Sequence, residues 1–88
     1  MKTEFLRKFS KDIDKIEDKR VLTSIAELIE AIEQAENLFD IANVKKLKGY
    51  SNAFRVRIGD YRVGVFLQED LVVFARVVHR KDIYEVFP

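Results

Sequence analysis

Arginines 55, 57 and 62 stand at a spacing that a fold does not need for itself. The run Phe54-Arg55-Val56-Arg57-Ile58 alternates apolar and basic residues, turns at Gly59-Asp60 and resumes with Tyr61-Arg62-Val63. Alternation of period 2 is the pattern of an antiparallel strand with one face buried and one face wet. Like charges directly opposite each other on paired strands are destabilising. A wet face built of arginine therefore points to an anionic partner, which guanidinium groups grip through paired N–H donors.

The turn sets the register. A two-residue loop at Gly59-Asp60 puts glycine at the first central position, as a type II′ turn prefers. Ile58 then faces Tyr61, Val56 faces Val63 and Phe54 faces Val65, all on one side. On the other side Arg57 faces Arg62 and Arg55 faces Gly64. A third strand, residues 71–78, follows a turn at Gln68-Glu69-Asp70. A three-residue loop there would pair Leu67 with Leu71, keep Arg76 out of the core and set it beside Arg62. The expected result is a basic row, Arg57–Arg62–Arg76, across three strands, with Arg55 next to it and Arg80 just past the third strand. The same register leaves Phe66, Val72, Phe74 and Val78 among the arginines, an apolar patch of the kind that marks a partner surface.

The elements upstream must supply the other layer. Residues 2–7 are expected to form a short strand. Ser10 is a plausible N-cap of a short helix running to about Asp18, with Asp12 in its first turn and Phe9, Ile13 and Ile16 as its buried stripe. Residues 19–37 carry apolar side chains at Val21, Leu22, Ile25, Leu28, Ile29, Ile32 and Ala35, the spacing of one broad helical face. Glu27, Glu30, Glu33 and Glu36 mark its polar face. Residues 38–46 read as a connection. Lys45, Lys46 and Lys48 lead into the loop Gly49-Tyr50-Ser51-Asn52. Arg80 to Tyr84 reads as a turn of helix or an irregular tail. The order predicts an α+β fold, a two-layer sandwich of an N-terminal strand, two helices and a three-stranded antiparallel meander.

Bulk properties narrow the classes. Eighty-eight residues, 48% hydrophobic and 35% charged, predict one soluble globular domain spanning 1–88. Cysteine is absent, which excludes disulfides and thiolate metal sites and fits a cytoplasmic protein. No apolar run approaches the ~18 residues of a membrane span, and the first residues lack the apolar stretch of a signal peptide. The net charge of +1 hides an asymmetry: residues 1–44 hold seven basic and ten acidic side chains, residues 45–88 nine and five. The basic charge lies in the meander, as expected of a surface that meets a polyanion.

Three segments together resemble the RelE/ParE superfamily of bacterial and archaeal toxins. They are Leu47-Lys48-Gly49, then Phe54-Arg55-Val56-Arg57-Ile58-Gly59-Asp60-Tyr61-Arg62-Val63, then Val77-Val78-His79-Arg80-Lys81-Asp82-Ile83-Tyr84. The resemblance implies the toxin of a type II toxin–antitoxin pair, with a cognate antitoxin as partner. RelE-like members enter the A site of the 70S ribosome and cut the mRNA there. The 2′-hydroxyl of the RNA is the nucleophile, so no metal or other cofactor is required. Carried over by position, Arg55, Arg57, Arg62, Arg80 and Tyr84 are the catalytic set, with Lys45, Lys46, Lys48 and Arg76 as further RNA contacts. Some members have lysines where this chain has Arg55 and Arg57. Arginine does not give up its proton readily, so both are assigned to phosphate binding and charge stabilisation. His79, the only histidine, is the candidate base, being of the residue type whose unperturbed pKa suits proton transfer. Its parity sets it apart from Arg76 and Arg80, as befits a structural strand end.

The resemblance also implies alternatives. A ParE-like toxin shares the fold but inhibits DNA gyrase and cuts no RNA. A decayed member would bind its partner and do nothing else. Presence of Arg62, Arg80 and Tyr84 together favours the nuclease.

Overall fold

The computed structural model describes residues 1–88. Its elements in chain order are β1 (Lys2–Phe5), α1 (Arg7–Asp14), α2 (Lys19–Gln34), a 3₁₀ turn (Leu38–Asp40), β2 (Val44–Lys46), β3 (Ala53–Ile58), β4 (Tyr61–Gln68), β5 (Leu71–His79) and α3 (Ile83–Val86). The five strands form one sheet in the order β1-β5-β4-β3-β2. The expected meander β3-β4-β5 is its centre. β1 joins in parallel beside β5, and β2, in the segment expected to be a connection, joins in antiparallel beside β3. No helix is long and apolar enough to cross a membrane.

The helices form as their apolar spacing dictates. Ile25, Leu28 and Ile32 of α2 and Phe9 of α1 are buried against one face of the sheet, together with Phe54, Val56, Val63, Val65, Phe74 and Val77. Asp18 caps α2 by accepting from the Arg20 backbone N–H at 2.9 Å. The amino group of Met1 donates to the carbonyls of Glu33 and Ala35 at 2.9 Å each, where the last turn of α2 lacks its own partners. α1 begins earlier than expected. Leu6 is its N-cap and makes no side-chain cap bond, and Ser10 lies inside the helix.

The first hairpin has the expected register. Ile58 pairs with Tyr61, Val56 with Val63, Phe54 with Val65, Arg57 with Arg62 and Arg55 with Gly64. Gly59 has φ +54°, the left-handed conformation that glycine adopts without penalty.

The second hairpin corrects the expectation. Gln68 pairs with Leu71, so its loop has two residues, Glu69 and Asp70, with Glu69 at φ 55°. Leu67 consequently faces Val72 and not Leu71. A β-bulge follows: Val65 pairs with Phe74 and Gly64 with Arg76, leaving Ala75 extra. Two consequences follow. Val72 and Phe74 are fully buried in the main core and form no exposed patch. Arg76 faces Gly64 rather than sitting beside Arg62, so the three-strand row does not form.

The arginine face is also only partly open. Leu47, Ala53, Ala75, Ile83 and Phe87 form a second, smaller buried cluster, against which Phe66, Val78 and Val86 pack. The tail with α3 thus covers one end of that face. The other end stays uncovered.

Candidate functional site

The uncovered end of the sheet is a basic hollow of about 420 Å³ lined by Asn43, Val44, Lys45, Arg55, Arg57 and Arg62. β3 supplies Arg55 and Arg57, two residues apart and hence on the same side. β4 supplies Arg62, directly opposite Arg57. β2 supplies Lys45, directly opposite Arg55. Four cations from three strands therefore share one surface. Lys46 has the opposite parity and pairs with Phe54. It lines a separate hollow with Lys48 and Tyr50, so two of the three lysines lie apart from the arginines.

Each guanidinium has a distinct setting. The Arg62 Nη1 donates to the carbonyls of Gly59 at 2.8 Å and Tyr61 at 2.9 Å, which ties the side chain back over the tight turn. Its pKa is pushed below the ordinary arginine value, first by partial loss of hydration, then by Arg55, Arg57 and Arg80; Asp60 opposes them. Arg57 is exposed, and its Nη2 donates to the Asn43 Oδ1 at 3.4 Å. Asn43 also accepts the Arg57 backbone N–H through its carbonyl at 3.2 Å and has φ 66°. Asparagine tolerates that conformation better than most residues. No carboxylate lies within salt-bridge distance of Arg55, Arg57 or Arg62.

Arg80 follows β5. Its backbone N–H donates to the Asp60 carbonyl at 2.7 Å, and its Nε lies 3.9 Å from the Asp60 carboxylate. Both groups are largely exposed, so the pair is weak. The backbone hydrogen bond holds the chain after β5 against the first hairpin, close enough for Arg80 to lower the Arg62 pKa. Tyr84, on α3, is 64% exposed, and the Arg55 guanidinium carbon lies 5.2 Å from its ring centroid. That is cation–π geometry. Tyr84 is thereby brought to the edge of the arginine cluster.

Arg76 and His79 fall outside the hollow. Arg76 donates to Asp12 of α1 through Nε at 2.7 Å and Nη2 at 3.0 Å, and the Val77 backbone N–H donates to the same carboxylate at 3.0 Å. The Asp12 hydrogen bond raises the Arg76 pKa. This cation clamps α1 to β5 and lies outside the arginine hollow. His79 pairs with Tyr61 and meets its ring edge-on at 5.9 Å between centroids. Its Nδ1 accepts the Lys81 backbone N–H at 3.2 Å. It lines a different hollow with Asp12 and Arg76. No group of three or more His, Cys, Asp or Glu side chains is placed to hold a metal ion.

Two parts of the site went unread in the sequence. Asn43 orients Arg57 from what looked like a connection; the signal was an asparagine before a short Val-Lys-Lys run. Phe87 packs over Gly64 and anchors the segment that carries Tyr84; the signal was a glycine in mid-strand, where it has no conformational task.

Known proteins share this architecture. The structure matches the RelB–RelE antitoxin–toxin complex from Methanococcus jannaschii with TM-score 0.83 and 35% identity, covering 97% of this chain and 99% of that one. It matches the toxin–antitoxin complex RelBE2 from Mycobacterium tuberculosis with TM-score 0.72 and 26% identity, covering 90% and 96%. The sequence is 38% identical to Toxin RelE3 of Methanocaldococcus jannaschii over the full length of both chains. Residues 3–84 match the family described as "ParE toxin of type II toxin-antitoxin system, parDE". On the match over nearly its whole length, together with the full-length relative, the chain belongs to the ParE toxin family of type II toxin–antitoxin systems.

Proposed function

We propose that this toxin is of the RelE type, an endoribonuclease that cleaves mRNA in the ribosomal A site and is held inactive by a cognate antitoxin. The observation that carries the reading is the convergence of Arg55, Arg57 and Arg62 on one uncovered surface with no carboxylate within salt-bridge distance of them. The full-length likeness to a protein named Toxin RelE3, and to a chain solved in a complex with an antitoxin, supports it.

The chemistry fits these residue types. The RNA 2′-hydroxyl gives up its proton and its oxygen attacks the adjacent phosphorus, the bond to the 5′-oxygen of the next nucleotide breaks, that oxygen takes up a proton, and a cyclic phosphate and a 5′-hydroxyl result. The nucleophile belongs to the RNA, so the route needs no metal. Negative charge builds on the phosphoryl oxygens in the transition state. Preorganised guanidinium groups stabilise it, each supplying roughly 2–4 kcal/mol. Arg62, fixed by two backbone carbonyls, is the best preorganised. Arg55, Arg57 and Arg80 bind the flanking phosphates, and Lys45 extends the track. Tyr84 offers a phenol beside Arg55 to stack on a base or orient the 2′-hydroxyl.

A second reading has one observation in its favour: the matching family is described by the name ParE. A ParE-like toxin would act on DNA gyrase and leave RNA intact. Inducing the chain without its antitoxin separates the two. Primer extension on a translated message should show cuts inside codons. Growth arrest with intact message and gyrase-dependent DNA breaks would replace the nuclease reading with the gyrase one.

A further inference from the structure

Gly64 sits in the middle of β4, directly across from Arg55. A glycine inside a strand weakens it and packs nothing. Its backbone is not in the left-handed region, so no turn demands it. What demands it is space. A Cβ at residue 64 would lie 2.6–2.8 Å from three ring carbons of Phe87, closer than carbon atoms approach. The Phe87 ring occupies the place where a side chain would stand.

That ring is 3% exposed and packs against Phe66 at 5.0 Å between centroids. It cannot slide aside without leaving its cluster. Phe87 closes α3 by donating its backbone N–H to the Ile83 carbonyl at 2.9 Å, and Ile83 is buried in the same cluster. The two anchors bracket Tyr84. From the chain between them the Tyr84 ring meets the Arg55 guanidinium.

We propose that the Gly64 notch and the Phe87 ring form a positioning device that sets Tyr84 beside Arg55 for the cleavage reaction. Neither residue touches substrate. Their effect passes through the tail. The inference rests on the proposed function for its consequence in catalysis, but the positioning itself can be read without any RNA.

The experiment uses Gly64→Ala, Phe87→Ala and the double variant. The first reading is the ring-current shielding of the Arg55 side-chain protons by NMR, with Tyr84→Leu marking the unshielded value. Both single variants should lose the shielding while the amide spectrum stays dispersed. The second reading is cleavage of ribosome-bound mRNA. Each single variant should lower the single-turnover rate by roughly tenfold to a hundredfold, the scale of a small misplacement, with little change in binding to the ribosome. In the Phe87→Ala background, Gly64→Ala should have no further effect, because its only action is to evict the ring. Shielding retained in Gly64→Ala would overturn the proposal, as would additive losses in the double variant. If Gly64→Ala unfolds, Phe87→Ala tests the same contact from the other side without altering the sheet. Shielding lost with cleavage unchanged would uphold the Phe87 seat, overturn its catalytic purpose and remove Tyr84 from the proposed mechanism.

Discussion

Arg57 and Arg62 stand directly opposite each other across the β3–β4 ladder, and no carboxylate bridges them. A neutral residue at position 57 should make the fold more stable, not less, by roughly 0.2–1 kcal/mol, the scale of a cross-strand pair. Chemical denaturation of Arg57→Gln measures it. The same variant should bind RNA more weakly. A site that holds charge against its own fold shows this opposition of stability and function.

The depressed Arg62 guanidinium makes a related prediction. Its protonated form is less favoured in the folded state than in the unfolded chain. That penalty is present throughout the neutral range and would be released only as pH rises into the guanidinium's own range. A polyanion seated on the cluster relieves it at neutral pH. Thermal melts at pH 7 and low salt should shift upward with a short RNA oligonucleotide, and the shift should fade as salt is added. Arg62→Gln should diminish it. A melting temperature indifferent to RNA at low salt would count against an anion site here.

Asp12 receives three hydrogen bonds from β5 and is only 5% exposed. Asp12→Ala should destabilise the protein by roughly 2–3 kcal/mol, because it strands Arg76 and the Val77 N–H together. That corresponds to about 10 °C or more in melting temperature for a domain of this size. Arg76→Gln should also lower the melting temperature. It should leave the salt dependence of RNA binding unchanged, which separates a structural cation from a phosphate contact.

Lys45 and Lys48 should differ in the opposite sense. Lys45 faces Arg55 across β2–β3 and lines the arginine hollow, whereas Lys48 lies beyond the strand in another hollow. Lys45→Ala should reduce the slope of log affinity against log salt by about 0.7, one single-strand phosphate contact. Lys48→Ala should change it less. Equal slopes for the two variants would mean that the RNA path does not follow the hollow.

The parts of this fold that could be read from the chain were those fixed locally. The first hairpin register followed from Gly59-Asp60, because a two-residue turn allows one pairing. The α2 face followed from its apolar spacing. The larger errors came from non-local partners. Arg76 looked as though it had to avoid the core, which forced a three-residue loop and a row beside Arg62. In the fold a bulge at Ala75 resets the alternation, and Asp12, from α1, takes the charge. Glu69 adopts a left-handed conformation that its residue type does not advertise. β2 has only three residues, too few for alternation to mark it. The cover over Gly64 comes from Phe87, twenty-three positions on, and no periodicity links them.

The most direct test is single-turnover cleavage of mRNA on purified ribosomes by the native chain and by Arg62→Ala. The native chain should cut the A-site codon, do so only when ribosomes are present, and leave a 2′,3′-cyclic phosphate at the cut. Arg62→Ala should fold normally and cleave about 10²–10³ times more slowly. Equal rates for the two proteins, or a message left whole by the native chain, would contradict the account.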